Sequence, residues 1–309
     1  MDIKMKKIVS LILAGIALLA LAACGRGTAD SKTVKIAYLP ITHALTVFEE
    51  AEELKNSTGL NVELVKYGSW PELLDALNTG NVDGASVLIE LAMKSKEEGI
   101  GVKAVALGHH DGNVIIVSND INSVEDLKGK TFAIPHRQSS HNLLINDALA
   151  AAGLTTDDLN ITELAPTEMP SALAGGQIDG YCVAEPFGAK AVELGVGKVL
   201  FSSEDLWENS LCCGLVLTDK FIDEHPETAK EFVDAYKEAG NNLTAEKAKT
   251  VAKQYLNQDD NVLDISLKWI SYDNLDITEE IYNGLVERVK KYGLSDNPPS
   301  YESFVDNSL

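Results

Sequence analysis

One junction is written twice in this chain. Leu77-Asn78-Thr79-Gly80-Asn81-Val82-Asp83-Gly84 and, 96 residues later, Leu173-Ala174-Gly175-Gly176-Gln177-Ile178-Asp179-Gly180 share one order. Each runs from a helix end through a turn glycine and a branched apolar residue into Asp-Gly and a strand. That spacing is too long for a solenoid repeat and suits two similar α/β lobes, although any helix–turn–strand junction has this general look. Around the first copy, residues 34–38 and 62–67 read as strands and residues 47–55 as a helix. Ser69-Trp70-Pro71-Glu72 reads as a helix start with a capping box, Ser69 being the N-cap answered by Glu72. Strands alternating with short helices predict α/β units on a mostly parallel sheet. A second start appears at residues 123–134, and from Pro226 onward the pattern is helical and is expected to pack on the first lobe. The expected fold class is therefore α/β, with two lobes joined by two hinge crossings, near residues 117–122 and 211–218. Lobe I takes residues 33–118 and 214–309, lobe II residues 119–213, and closure of this clamshell buries a ligand.

The N-terminus carries an address. Lys4, Lys6 and Lys7 precede residues 8–23, which hold no charge and are short for a spanning helix of about 20 apolar residues. The stretch ends in Leu21-Ala22-Ala23-Cys24-Gly25, the build of an export signal. A cysteine there resembles the lipobox of bacterial lipoproteins, which implies a signal peptide over 1–23, lipidation of Cys24 and a polar tether over 24–32. The expected location is extracytoplasmic, lipid-anchored to the cell membrane. Removing Asp2 and three lysines moves the formal charge from −21 to −23, which argues against nucleic-acid binding. Cys182, Cys212 and Cys213 remain, and they indicate no disulfide framework.

Three further segments carry a family likeness: Ala106-Leu107-Gly108-His109-His110-Asp111-Gly112-Asn113, Ala133-Ile134-Pro135-His136-Arg137-Gln138-Ser139-Ser140-His141-Asn142 and Asp179-Gly180-Tyr181-Cys182-Val183-Ala184-Glu185-Pro186-Phe187. In this order, behind a lipobox, they resemble the nitrate/sulfonate/bicarbonate/taurine substrate-binding family, its nitrate and bicarbonate branch most of all. The resemblance implies a type II periplasmic-binding-protein fold, no enzymatic activity, no cofactor, and an ABC permease and ATPase as partners of a monomer. It implies that Trp70 and His141 line the ligand pocket, with Asn113 where nitrate binders carry a glutamine. Leu211-Cys212-Cys213 stands where those relatives place a lysine, so a fixed positive charge is missing.

The residues themselves suggest a small polar solute, an oxyanion or sulfonate first. Ser139 or Ser140 can cap the helix beginning near His141, whose free N–H groups make an anion site. His136 and His141 would add charge-assisted donors, while Arg137 reads better as a solvated surface charge. Thr42 and His43 follow the first strand, and His109 and His110 another, at carboxyl ends where open α/β sheets bind ligands. Glu185 is an acceptor, so the ligand can also carry a donor. The expected ligand-binding set is Thr42, His43, Trp70, His110, Asn113, His136, Ser140, His141 and Glu185. Two rivals stand beside it. One is a zinc-type metal on His43, His110 and His141, with Cys212 and Cys213 as soft donors or as buried apolar residues. The other is a binder or synthase of thiamine-pyrimidine precursors, because Cys212-Cys213-Gly214 resembles a fragment of the cysteine-rich run of those synthases. No Gly-x-Ser-x-Gly element or phosphate loop is present.

Overall fold

A computed structural model describes residues 33–208 and 210–309, so the expected signal peptide, the lipidation of Cys24 and the tether lie outside the described residues. The chain begins β1 (Thr33–Tyr38), α1 (Leu45–Ser57), β2 (Asn61–Lys66), α2 (Trp70–Asn78), β3 (Gly84–Leu88), α3 (Ile89–Glu97) and β4 (Val102–Leu107). It continues through β5 (His110–Asp111), β6 (Asn113–Val117), β7 (Thr131–Ile134), α4 (Ser140–Ala151), β8 (Asn160–Glu163), α5 (Met169–Ala174), β9 (Gly180–Ala184), α6 (Phe187–Glu193) and β10 (Lys198–Ser202). After α7 (Ser203–Leu206), β11 (Cys213–Thr218) and α8 (Asp219–Glu224) come α9 (Pro226–Asn242), α10 (Ala245–Leu256), α11 (Asp260–Ser266), β12 (Ile270–Ser271), α12 (Glu279–Lys291) and α13 (Tyr301–Phe304).

Ten of these strands form two five-stranded sheets, ordered β2-β1-β3-β11-β4 and β8-β7-β9-β6-β10, and β5 pairs with β12. The two orders are the same, with β11 and β6 as the antiparallel strand in the fourth place. The repeated Asp-Gly explains the likeness. Asp83 Oδ2 accepts the Lys35 N–H at 2.9 Å, and Asp179 Oδ2 accepts the Thr131 N–H at 2.8 Å, so each aspartate pins the start of the neighbouring parallel strand. The aspartate carbonyls accept the N–H groups of Thr218 and Ser118, each at 2.9 Å, where the antiparallel strand ends. Glycine follows because there is no room for a side chain. A Cβ on Gly84 would lie 2.5 Å from Leu217 Cδ2 and 2.7 Å from the Val216 carbonyl oxygen, and one on Gly180 would lie 2.9 Å from that of Ile116.

Every residue of β3, β6, β9 and β11 is buried, the continuous apolar pattern of strands covered on both faces. Three expectations shift. Because β6 belongs to the second sheet, the chain passes between the sheets at residues 108–112, earlier than expected, and returns between the end of β10 and the start of β11. The helical tail packs α9 and α10 on α1, as expected, but α11 also packs on α6, beside the second sheet. Ser69 is the N-cap of α2 in extended conformation, yet its side chain makes no capping bond. No helix among the described residues is long and apolar enough to cross a membrane.

Gly84→Ala should destabilise the fold by about 1–3 kcal/mol through overpacking at the β3–β11 contact. A denaturant midpoint equal to that of the unchanged protein would show that the two strands separate freely.

Candidate functional site

Both passages between the sheets deliver polar side chains to one buried place. The first carries His109 and ends at Asn113, and the second ends at Cys212 and Cys213. His43 arrives from the single turn Thr42–Ala44 after β1. All of these side chains are buried, and donor atoms of His43, His109, Cys212 and Cys213 lie within 4.8 Å of one another.

The hydrogen bonds fix how they are presented. His43 Nε2 lies 3.0 Å from the Gly112 carbonyl, which can only accept, so Nε2 carries the proton. Nδ1 is left to face Cys213 Sγ at 3.4 Å and Cys212 Sγ at 3.7 Å. The two sulfurs are 3.8 Å apart and both cysteines are free. The His109 ring leans on His43 with centroids 3.6 Å apart and planes tilted by 31°, and neither of its nitrogens has a hydrogen-bond partner. Backbone bonds hold the cysteines in place: the Cys212 carbonyl accepts Ile89 N–H and the Cys213 carbonyl accepts Gly108 N–H, each at 2.8 Å.

These separations have a chemical meaning. Zinc–sulfur and zinc–nitrogen bonds of about 2.3 and 2.1 Å in a tetrahedron put sulfurs about 3.8 Å apart and a sulfur–nitrogen pair about 3.6 Å apart. The separations among His43 Nδ1, Cys212 Sγ and Cys213 Sγ come close to those edges. His43 also has the arrangement typical of a metal-binding imidazole, with the second nitrogen donating to a backbone carbonyl.

The electrostatics agree. Burial and the neighbouring His43 lower His109 to about 4, so its ring is neutral with a lone pair available. Burial alone would raise the Cys212 thiol, but Cys213, His43 and His109 outweigh it and hold Cys212 well below the ordinary thiol value. Cys213 is pushed the other way by burial and by the Cys212 charge. The Asn113 amide faces Cys212 at 3.6 Å; turned over, its otherwise unpartnered Nδ2–H would donate to a thiolate. No Lys or Arg is named among the groups that shift Glu90, His109, His141, Cys212 or Cys213.

The remaining sequence candidates fall into two groups. Ser140 and His141 are fully buried at the start of α4, capped by Ser139, and their side-chain polar atoms have no partner. Burial lowers His141 to about 4. Trp70 is buried with an unpartnered Nε1. Thr42 donates its Oγ1 to the Glu185 carbonyl at 2.9 Å, and the Glu185 carboxylate accepts Ala189 N–H, so both are held by protein partners. His136 is half-buried, with Nδ1 accepting Gln138 N–H at 2.9 Å. His110 does not join the cluster: its Nε2 bonds the Asp273 carbonyl at 2.9 Å, and the next residue back, His109, takes the place expected of it. His141 likewise lies outside the four-donor group. Glu90 was missed altogether. It is fully buried at the start of α3, with both carboxylate oxygens unpartnered, and burial and the Cys212 charge push its carboxyl well up.

A sequence profile of the NMT1-like family matches residues 27–257. The solved structure of a ligand-binding component of an ABC-type import system from Staphylococcus aureus, with zinc bound, is 40% identical with a TM-score of 0.86, covering 89% of this chain and 97% of that one. The periplasmic nitrate-binding protein NrtA from Synechocystis is 18% identical with a TM-score of 0.79, covering 90% of this chain and 87% of that one, a likeness of fold. The nitrate import ATP-binding protein NrtC of Synechocystis sp. is 28% identical over 240 residues, 70% of this chain. This chain spans about a third of that relative's length, 36%.

The site also sets a pH dependence. Burial raises the Glu185 carboxyl from an ordinary 4.5 to about 8, against the pull of Ala189 N–H. The folded state therefore holds this proton more tightly than the unfolded chain. Its contribution to stability is complete below about 4.5 and is lost as pH rises through about 8. Glu185→Gln has no such proton, so its thermal midpoint should fall less than that of the unchanged protein across this window. Parallel midpoint curves would refute the assignment.

Proposed function

Because the chain belongs to the NMT1-like family, we propose that it is the solute-capturing component of an ABC importer, working outside the cytoplasm, and that its cargo is a soft divalent metal ion of the zinc class. The observation that carries this reading is the set of separations among His43 Nδ1, Cys212 Sγ and Cys213 Sγ, which come close to the edges of a tetrahedral site, with a His109 nitrogen within 4.8 Å of them as the fourth donor. The zinc-bound relative from Staphylococcus aureus supports it. Two thiolates would balance the ion's charge, and neutral imidazoles would complete the shell. The partners are a permease and an ATPase, as the import-system relatives suggest, and lipidation at Cys24 would tether the protein to the membrane. The protein binds and releases its cargo without chemistry on it. The two-sheet architecture supports a clamshell, in which the ion stabilises whichever arrangement brings the two chain passages and His43 together.

An oxyanion is the second reading, favoured by the nitrate-import relative and by the unpartnered Ser140 and His141 at the start of α4. It has to do without a fixed cation.

Calorimetry on metal-stripped protein separates the two. Zinc should bind at one site per chain, and a hundredfold excess over its dissociation constant should stabilise the fold by about 2.7 kcal/mol. His109→Ala and Cys213→Ser should each weaken zinc by more than the ~10–100-fold that loss of an outer partner costs. A thermal shift with nitrate or a sulfonate, and none with zinc, would overturn the metal reading in favour of the oxyanion.

A further inference from the structure

One short segment of the helical tail reaches the backbone behind both imidazoles of the solute site. Residues 270–275 follow α11 and begin as β12, whose Ile270 and Ser271 pair with Asp111 and His110 of β5. The buried Tyr272 hydroxyl donates to the Thr42 carbonyl at 3.0 Å, one residue before His43. The Asp273 and Asn274 carbonyls accept His110 Nε2–H at 2.9 and 3.3 Å, and the Leu275 carbonyl accepts Leu107 N–H at 2.7 Å. The chain is thus held by this segment on both sides of His109, whose own ring nitrogens have no hydrogen-bond partner. Ile270 packs against the peptide that His43 bonds: a Cβ on Gly112 would lie 2.8 Å from Ile270 Cδ1 and 3.1 Å from His43 Nε2. The segment is itself seated on the end of α9. Asn241 Oδ1 accepts the Asn274 N–H at 3.0 Å, and a Cβ on Gly240 would lie 2.6 Å from the Tyr272 carbonyl oxygen and 2.5 Å from Leu275 Cδ1. Only glycine lets the two chains approach so closely.

We propose that Tyr272 and His110 are positioning residues of the solute site, which fix the His43 and His109 imidazoles without touching the cargo. This rests on the reading of His43, His109, Cys212 and Cys213 as the metal site, and it names what holds that site's nitrogen donors in place. Thr42 shows how the hold works. Its N–H bonds the Glu185 carbonyl and its own carbonyl bonds Tyr272, so the peptide planes on both sides of it are pinned and His43 leaves from a fixed peptide. His110 does the same for His109 from the next position along the chain. Its Nε2 is occupied by the tail carbonyls, which also accounts for its place outside the four-donor group. Outer partners of metal-binding histidines usually bond the ring itself. Here Gly112 does so for His43, while Tyr272 and His110 act one peptide further out, through the backbone.

Histidine-ring NMR on the metal-free full chain reads the two imidazoles directly. Tyr272→Phe should move the His43 ring resonances, and His110→Leu those of His109. His110→Gln keeps an N–H donor for the tail carbonyls and should return the His109 signals toward their original positions. Tyr282→Phe removes another buried tyrosine's bond to a carbonyl, that of Pro299 at 2.8 Å, and should move neither ring. In zinc titrations Tyr272→Phe and His110→Leu should each weaken the ion by about threefold to tenfold, the range that one hydrogen bond is worth, with affinity unchanged in Tyr282→Phe. Cobalt loaded in place of zinc should show altered visible absorption bands in the first two variants and unaltered ones in Tyr282→Phe. Ring resonances of His43 and His109 that stay in place, or that move as far in Tyr282→Phe, would overturn the proposal. So would zinc held by both variants as tightly as by the unchanged protein. If Tyr272→Phe does not fold, the two His110 variants decide alone. An unchanged protein that takes up no zinc sinks the metal reading alone, and the metal-free ring resonances still decide for or against the positioning.

Discussion

The Gly112 carbonyl accepts two hydrogen bonds, from His43 Nε2 at 3.0 Å and from the Glu185 backbone N–H at 2.9 Å. Those two contacts tie together three segments that are remote in sequence: the turn after β1, the first passage between the sheets, and the end of β9. The Glu185 carbonyl returns the link by accepting both the backbone N–H and the hydroxyl of Thr42. One peptide group thereby decides which nitrogen of His43 is protonated, and so which one faces the sulfurs. Without it the imidazole could present either nitrogen, and the tetrahedral spacing with Cys212 and Cys213 would have no fixed corner. Second partners of this kind orient a metal-binding histidine and raise its basicity.

A site with this many buried polar groups needs a scaffold that does not relax around it. The twin sheets supply that through β11 and β6, each held on both sides by neighbours and buried along its whole length. Cys213 is the first residue of β11 and pairs with Leu88 on β3, while its carbonyl bonds Gly108 at the start of the first passage. Asn113 opens β6 and pairs with Ala184, next to Glu185. The fully buried strands thus start where the site begins, so the site's side chains are presented by the ends of packed elements.

How far the sequence revealed this depended on how local each signal was. The Asp-Gly echo was readable because the aspartate bond and the missing Cβ act within one junction, and both copies do the same work. The place of β6 was not readable. Its apolar run fits either sheet, and only the long-range pairing with β9 decides. The four-donor cluster was half visible: the histidines on loops and the paired cysteines stood out, but its members come from three distant segments with no ligand spacing. Nothing in the sequence chose between His109 and His110: they are neighbours on one loop, and only the folded chain shows that His109, which precedes β5, joins the cluster while His110, its first residue, bonds the Asp273 carbonyl. Cys212 likewise precedes its strand, and its sulfur lies 3.8 Å from that of Cys213. Glu90 gave no signal, since a glutamate in the first turn of a helix is ordinary in sequence and unusual only once it is buried.

Charge bears on the cargo from a longer distance. A formal charge of −21 makes a field that repels small anions and concentrates cations near the surface. His110, the neighbour of His109, lines an open groove of about 920 Å³ whose walls include Glu208, Asp276, Glu280 and Glu287, with Arg288 engaged over the Trp207 ring at 4.2 Å. The overall charge and the acidic groove suit a cation better than an anion, and so do two sulfurs and two imidazoles gathered in one buried place. That agreement between the long-range field and the short-range chemistry is the physical ground on which the proposed metal cargo rests in preference to an oxyanion.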